Sequence, residues 1–163
     1  MIKNGYRTGY LIQKFLKQSA VLYSSSPGFI YPVLNRLAHR KLITGRRILQ
    51  QTKPSKIAYS LTRMGEGVFT NWIHDFSIYS DNRNSIRSFH SIALFFHELT
   101  PSEKRGHVEG YKKYLLRMRA AVQETTGRSS DMPINAVQRQ HAVFSLDAEL
   151  LFLERLQDTV YKL

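Results

Sequence analysis

The sequence predicts a mainly α-helical protein with a small β-hairpin, in which a winged helix-turn-helix head precedes a C-terminal helical domain. Two observations predict this fold class. Between Ser26 and Thr62, a helical pattern, two β-branched runs and a polar turn follow one another without spare residues. After residue 84, three amphipathic helical patterns follow. The hairpin is therefore expected in the first half of the chain, and the second half is expected to be helical.

Positive charge is concentrated in the first half. The 163 residues carry a formal net charge of +12. Residues 1–74 hold 12 of the 24 basic residues but only one of the 12 acidic residues, Glu66. This asymmetry is expected where the first half binds a polyanion, whereas a generally basic, solvated surface is the plainer alternative.

Composition excludes several classes of site. The chain has no cysteine, so it forms no disulfide, thiolate zinc site or cysteine nucleophile. The beginning, MIKNGYRTGY, lacks the apolar segment of a signal peptide, and no run approaches the roughly 18 consecutive apolar residues of a membrane span. With 42% hydrophobic residues, the chain can bury a core. Because no signal peptide or membrane span is apparent, we expect a cytoplasmic protein with no membrane partner.

The head begins with a helix predicted from Thr8 to Gln18, in which Thr8 is a candidate cap. A second helix starts after Ser25 and Ser26, which precede the turn-forming pair Pro27-Gly28. The two serine hydroxyls are candidates for contacts with DNA phosphate and equally for helix caps, and both roles are compatible. The apolar face of the first helix consists of Leu11, Ile12, Phe15 and Leu16.

The second helix carries the candidate DNA-reading face. Ile30, Leu34 and Leu37 fall at i, i+4 and i+7 and form a stripe that faces a core. Because Pro32 removes a helical hydrogen bond beyond the first turn, we expect the helix to begin near Gly28 or Phe29. The side chains predicted to face outward are polar, basic or aromatic: Phe29, Tyr31, Asn35, Arg36 and Arg40.

A basic β-hairpin is predicted next. The runs LITGRRIL and KIAYSLT are rich in β-branched residues, and the second alternates between apolar and polar positions. Between them lies the polar turn QQTKPSK. A plain solvated hairpin is the alternative to a DNA-contacting wing. The cations of the predicted wing are Arg46, Arg47, Lys53 and Lys56.

A third helix is predicted from Arg63 to about Phe76, with Thr62 as its cap. Val68, Trp72 and Phe76 share one face of this helix at i, i+4 and i+8. Trp72 is the only tryptophan, and we interpret it as core or domain-interface packing before any role in ligand stacking.

The head resembles the PadR family of transcriptional regulators. Three motifs recur in the order and spacing of that family, within FIYPVLNRL, RKLI and AYSLTRMGEG. The resemblance covers roughly residues 8–76 and implies that the second helix and the wing bind double-stranded DNA. The matching residues are Gly28, Ile30, Tyr31, Pro32, Leu34, Arg36 and Leu37, then Lys41, Leu42 and Ile43, then Tyr59, Leu61, Thr62 and Gly65.

The sequence departs from the family pattern at two places. Lys41 stands where the family usually has a glycine, a mild change because a lysine near a helix C-terminus suits the helix dipole. The family usually has an apolar helix before the position of Thr8, and only Met1 to Arg7 precede it here.

With three helical patterns in succession and the string DAELLFLERL near the end, the C-terminal half resembles the larger, AphA-like branch of the family. We predict a head over residues 1–76, a linker over 77–84 and a helical dimerisation domain over 85–163. Its predicted helices span about Ser85 to Leu99, Pro101 to Thr126 and Pro133 to Leu163. Thr100 and Glu103 form a predicted capping box at the start of the second of these helices. The resemblance implies a homodimer. Coiled-coil spacing is found at Val108, Tyr111, Leu115, Met118 and Val122 in the second of these helices, and the last contains Val143, Leu146, Leu150 and Leu153.

Some PadR-like proteins bind small aromatic effectors between the head and the C-terminal helices. The candidates for such a pocket here are Trp72, Phe76, Phe89 and Phe96, although packing explains these aromatic side chains equally well.

No catalytic or metal motif is apparent, and we expect no cofactor. The string HELTP lacks the second histidine of H-E-x-x-H, and no phosphate loop or dinucleotide fingerprint is present. Two hypotheses follow: a sequence-specific transcriptional regulator, or a winged-helix module that binds nucleic acid without sequence choice or binds a protein. Asn35 and Arg36 favour the first, because their side chains can hydrogen-bond to base edges.

Overall fold

The computed structural model describes residues 1–5, 7–18, 26–49, 55–80, 85–124 and 133–160. The chain divides into two compact units, Met1–Ile73 and His74–Leu163. The first is a helical unit with one antiparallel hairpin, and the described elements of the second are all helices. The predicted fold class is confirmed.

The N-terminal unit has the element order of a winged helix. Its helices are α1 (Gly9–Gln18), α2 (Pro27–His39) and α3 (Arg63–Ile73), and its strands are β1 (Ile43–Ile48) and β2 (Lys56–Leu61). The two strands pair in antiparallel register, with Ile43 opposite Leu61. Met1 and Ile2 pack, partly buried, against the core of this unit. That core consists of Ile12, Leu16, Ile30, Leu34, Ile43 and Tyr59.

An isolated β-bridge, which the sequence did not predict, joins the residues before α1 to β2. The Tyr59 backbone N–H donates to the Arg7 carbonyl at 2.7 Å, and Thr8 forms an isolated bridge with Ala58. Thr8 then caps α1 as predicted, because its Oγ1 accepts from the Leu11 N–H at 3.3 Å. The start of α1 is therefore attached to β2 by backbone hydrogen bonds.

The end of α2 is closed by a Schellman motif centred on Lys41. The Leu42 N–H donates to the Leu37 carbonyl at 3.0 Å, and the Lys41 N–H donates to the Ala38 carbonyl at 2.9 Å. Lys41 has a φ of 56°, the left-handed conformation that glycine adopts without steric cost. This explains why the family usually has glycine at this position.

We expect Lys41→Gly to raise the free energy of unfolding by about 0.5–1 kcal/mol, because relief of the left-handed strain exceeds the added freedom of the unfolded chain. Lys41→Ala is the matched control, since it removes the charge but keeps a Cβ at the same φ. Urea unfolding of the three proteins checks this. If Lys41→Gly and Lys41→Ala raised the free energy of unfolding equally, the effect would come from the loss of the charge instead.

The second unit is built from α4 (Ser85–Ala93), α5 (Pro101–Glu124) and α6 (Pro133–Val160), with short 3₁₀ helices at Phe76–Tyr79 and Phe96–Glu98. Two predicted bounds were too long. The helix after Thr62 ends at Ile73, because Asp75 then caps the first 3₁₀ helix by accepting from the Ser77 N–H at 2.9 Å. The helix predicted to reach Leu99 ends at Ala93.

The α5 start is a capping box, as predicted. The Thr100 N–H donates to Glu103 Oε2 at 2.8 Å, and the Glu103 N–H donates to Thr100 Oγ1 at 3.4 Å. The hydrogen bonds from the Thr100 side chain and backbone lower the pKa of Glu103. The carboxylate therefore remains ionised at the positive end of the helix dipole.

The core of the second unit contains residues from both predicted seams. Val108, Tyr111 and Leu115 of α5 are fully buried, and Leu146 and Leu153 of α6 are buried as well. A polar contact joins three helices beside them: Glu149 Oε2 accepts from Tyr111 Oη at 2.9 Å and lies 2.9 Å from His90 Nε2. The predicted α6 seam thus belongs to the interior of this unit.

Candidate nucleic-acid interface

Helix α2 begins at Pro27, one or two residues earlier than expected. Ser26 is its cap in an extended conformation, and the Ser26 carbonyl accepts from the N–H groups of Phe29 and Ile30 at 3.0 and 3.1 Å. The Ser26 hydroxyl makes no capping hydrogen bond, so it is left exposed at the helix start. Pro32 lies inside the helix, and its missing N–H leaves the Gly28 carbonyl without its usual helical donor. Ser25 lies outside the described residues.

The two faces of α2 differ as the spacing predicts. Ile30 and Leu34 are buried, and Leu37 is half-buried. The opposite face is solvent-exposed. All five side chains that were predicted to face outward are exposed: Phe29, Tyr31, Asn35, Arg36 and Arg40.

The hairpin presents its cations to solvent. Arg46, Arg47 and Lys56 are exposed, and Arg47 Nε donates to Ser55 Oγ at 2.9 Å. That hydrogen bond holds the Arg47 side chain along the outer part of the hairpin. Lys53 lies outside the described residues.

A groove of about 900 Å³ separates the first turn of α1 from one edge of α2 and from β2. Ten residues line it, and none of them is acidic. One wall is fixed by Tyr31, because a Cβ added at Gly9 would lie 2.7 Å from Tyr31 Cε1. Burial, and then the neighbouring Tyr31, raise the pKa of Tyr59 at the base of the groove. Tyr59 is therefore a neutral phenol at physiological pH.

The N-terminal unit is similar to a known family. Residues 1–71 match the model of the transcriptional regulator PadR-like family. Because of this similarity, we call this unit the PadR-like domain. This match has the same bounds as the compact unit to within two residues. Among curated proteins, none is a significant match to the sequence.

Three solved structures are similar to the chain over most of its length. Bacillus subtilis PadR in complex with operator DNA is 21% identical, with 94% of this chain and 90% of that chain covered and a TM-score of 0.38. The Streptococcus mutans protein smu.1604c is 18% identical, with coverages of 93% and 91% and a TM-score of 0.41. A PadR-like transcriptional regulator from Bacillus cereus is 16% identical, with coverages of 94% and 87% and a TM-score of 0.34.

Two exposed side chains of the PadR-like domain were missed by the sequence analysis. His39 follows Asn35 by four residues and Pro32 by seven, so it shares the exposed face of α2. Tyr10 lines the groove and is 67% exposed. The four-residue spacing from Asn35 could have predicted that His39 lies on the exposed face of α2. Tyr10 was not predicted because it lies outside the second helix and the wing, where DNA contacts were expected.

The four candidate effector side chains are divided between the two units. Trp72 is half-buried in the PadR-like domain, with its ring centroid 6.1 Å from that of Phe69. In the C-terminal unit, Phe89 and Phe96 are buried against each other, with ring centroids 6.1 Å apart. Phe76 is exposed on one side and stacks on His107 at 4.4 Å. An effector site formed by these residues stays a prediction.

Metal-binding and membrane-spanning features are absent from the described part of the chain. No three histidine or carboxylate side chains there are grouped to hold a metal ion. No helix there combines the length and hydropathy needed to cross a membrane.

Proposed function

We propose that the protein is a sequence-specific DNA-binding transcriptional regulator, a repressor, that acts as a homodimer on a roughly palindromic operator. One observation carries the proposal: the exposed face of α2 presents Asn35 and Arg36 while Ile30 and Leu34 fix the opposite face in the core. The similarity to the PadR-like family supports it.

The side-chain chemistry of this face suits the edges of base pairs. An arginine binds the O6 and N7 atoms of guanine with two hydrogen bonds, and an asparagine binds the N6 and N7 atoms of adenine in the same way. Arg36 and Asn35 are adjacent on α2, and a helix fits the major groove of B-DNA. We assign base reading to these two residues.

The remaining basic residues suit the phosphate backbone. Arg40 follows the reading residues on α2, and Arg46, Arg47 and Lys56 extend from the hairpin. Cations of this kind set affinity and orientation without selecting a sequence. Ser25, Ser26 and Lys53 are proposed for the same role. Phe29 and Tyr31 are proposed to contact DNA through their exposed rings.

Titration at fixed salt against an operator and against random DNA tests the reading role. We expect Asn35→Ala and Arg36→Ala each to weaken operator binding by about 1–3 kcal/mol with a much smaller effect on random DNA. Lys56→Gln is the matched control on the hairpin, and it should weaken both DNAs alike. An unchanged preference for operator in both α2 variants would support a module without sequence choice.

The proposed dimer uses a face of α6 that is exposed among the described residues. Six residues with a 3-4 spacing, from Ile134 to Leu151, are exposed along one face of this helix. Such spacing forms the seam of a coiled coil, and an exposed apolar stripe of this length needs a partner. A second copy supplies the matching stripe by two-fold symmetry. This use of the C-terminal helices is that of the AphA-like branch. The seam consists of Ile134, Val137, His141, Phe144, Ala148 and Leu151.

A further inference from the structure

One wall of the groove beside α2 is formed by residues that have no part in the proposed reading of bases. The first turn of α1 contributes Thr8 and Tyr10, α2 contributes Tyr31 and Asn35, and β2 contributes Lys56. Only the α2 and hairpin residues among these were assigned to DNA. The contribution of α1 is therefore unexplained.

The shape of the groove is held by its own packing. The Tyr31 ring rests so closely on Gly9 that no larger residue fits there without movement. The N–H of Tyr59 is bound to the Arg7 carbonyl just before α1. These two contacts fix the first turn of α1 at a constant distance from α2 and from β2.

The chemistry of the groove suits a phosphate strand. No acidic residue lines it, Lys56 supplies a positive charge, and Tyr10 presents a phenol that is 67% exposed. The exposed stripe of α1 that starts at Tyr10 continues through Lys14 and Lys17, at i+4 and i+7. The surface along the groove and the adjoining α1 stripe is thus neutral or basic.

Asn35 belongs both to the wall of this groove and to the exposed face of α2. A duplex whose base edges meet Asn35 has a sugar–phosphate strand beside that residue. We infer that this strand lies in the groove, with Tyr10 as a sequence-independent phosphate contact from α1 and Lys56 as the cation on the opposite side. The inference rests on the proposed function and extends the DNA interface to α1.

Tyr10→Phe tests the contact, because it removes only the hydroxyl from an exposed side chain. A hydrogen bond to a charged phosphate is lost, so affinity should fall on the order of tenfold for operator and random DNA alike. The slope of log affinity against log salt should not change, since a phenol carries no charge. Lys56→Gln should weaken both DNAs and also reduce the slope by about 0.9.

Gln18→Ala, an exposed change at the other end of α1, is the control and should bind as the original chain does. Unfolding curves of all variants confirm that they are folded. Unchanged affinity of Tyr10→Phe on both DNAs would overturn the inference while leaving the effects of Arg36→Ala intact. A loss confined to operator would overturn it too, since Tyr10 would then read bases. Failure of the original chain to bind any DNA would remove the proposed function and the inference together.

Discussion

Gly65→Ala is expected to lower the free energy of unfolding of the N-terminal unit by about 3 kcal/mol, near the upper end of the usual cost of overpacking. A Cβ at this position would lie 1.9 Å from the Leu42 carbonyl oxygen and 2.9 Å from its carbonyl carbon. These are backbone atoms, so no side-chain rotation relieves the clash. The Leu42 carbonyl also accepts from the Thr62 N–H at 3.1 Å and from Thr62 Oγ1 at 3.2 Å. Moving it away would break both hydrogen bonds.

Gly67→Ala provides a control in the same helix. A Cβ at Gly67 meets nothing within 4 Å, so alanine should stabilise α3 by about 0.5–1 kcal/mol through its higher helix propensity. Thermal unfolding of the full chain compares the two variants directly. Equal stability of Gly65→Ala and Gly67→Ala would show that Gly65 does not lie against the Leu42 carbonyl group between α2 and β1.

Val137→Glu combined with Phe144→Glu is expected to convert the proposed dimer into a monomer and to weaken operator binding by about 10²–10⁴-fold. Phe144 is 62% exposed and Val137 is 60% exposed, so neither change disturbs the interior of the C-terminal unit. Charges of one sign placed in a two-fold symmetric seam repel their own copies and lose their hydration. The affinity falls because a tethered second head binds at a high effective concentration, and a lone head loses this advantage.

Sedimentation at micromolar concentration and DNA titration measure the two effects on the same samples. Ala136→Glu adds the same charge to an exposed position of α6 outside the 3-4 spacing and should leave both properties unchanged. If the original chain sediments as a monomer, or the double variant binds operator with full affinity, α6 is not the dimer interface. A dimer also requires half-sites about one helical turn apart, on the order of 10 base pairs, or a multiple of that spacing.

Periodic apolar spacing predicted the larger elements of the fold. Ile30 and Leu34 determined the orientation of α2, and the motif around Thr100 and Glu103 predicted the start of α5. A single backbone hydrogen bond between two residues leaves no periodic pattern in the sequence. The pairing of Arg7 with Tyr59 could therefore not be predicted. The left-handed conformation of Lys41 was missed because it depends on how the chain leaves α2 rather than on the residue present.

The site was less predictable than the fold. A pattern that predicts an exposed side chain on one helix does not predict which neighbouring element lies beside that side chain. The predicted apolar seam of α6, with Leu146 and Leu153, is buried within the C-terminal unit. The exposed stripe beside it contains His141 and Ala148, which weaken its apolar signal in the sequence. In the PadR-like domain, the role of Tyr10 emerged only when the groove placed α1 next to α2 and β2.

Selection of binding sites from a random DNA library, carried out in parallel with the original chain and with Arg36→Ala, tests most directly whether α2 reads sequence. We expect the original chain to enrich a roughly palindromic site with a fixed guanine in each half-site. Arg36→Ala should still enrich the rest of the site but lose the preference at that guanine. Enrichment of no common sequence by the original chain, or of an identical site by both proteins, would contradict base reading by Arg36.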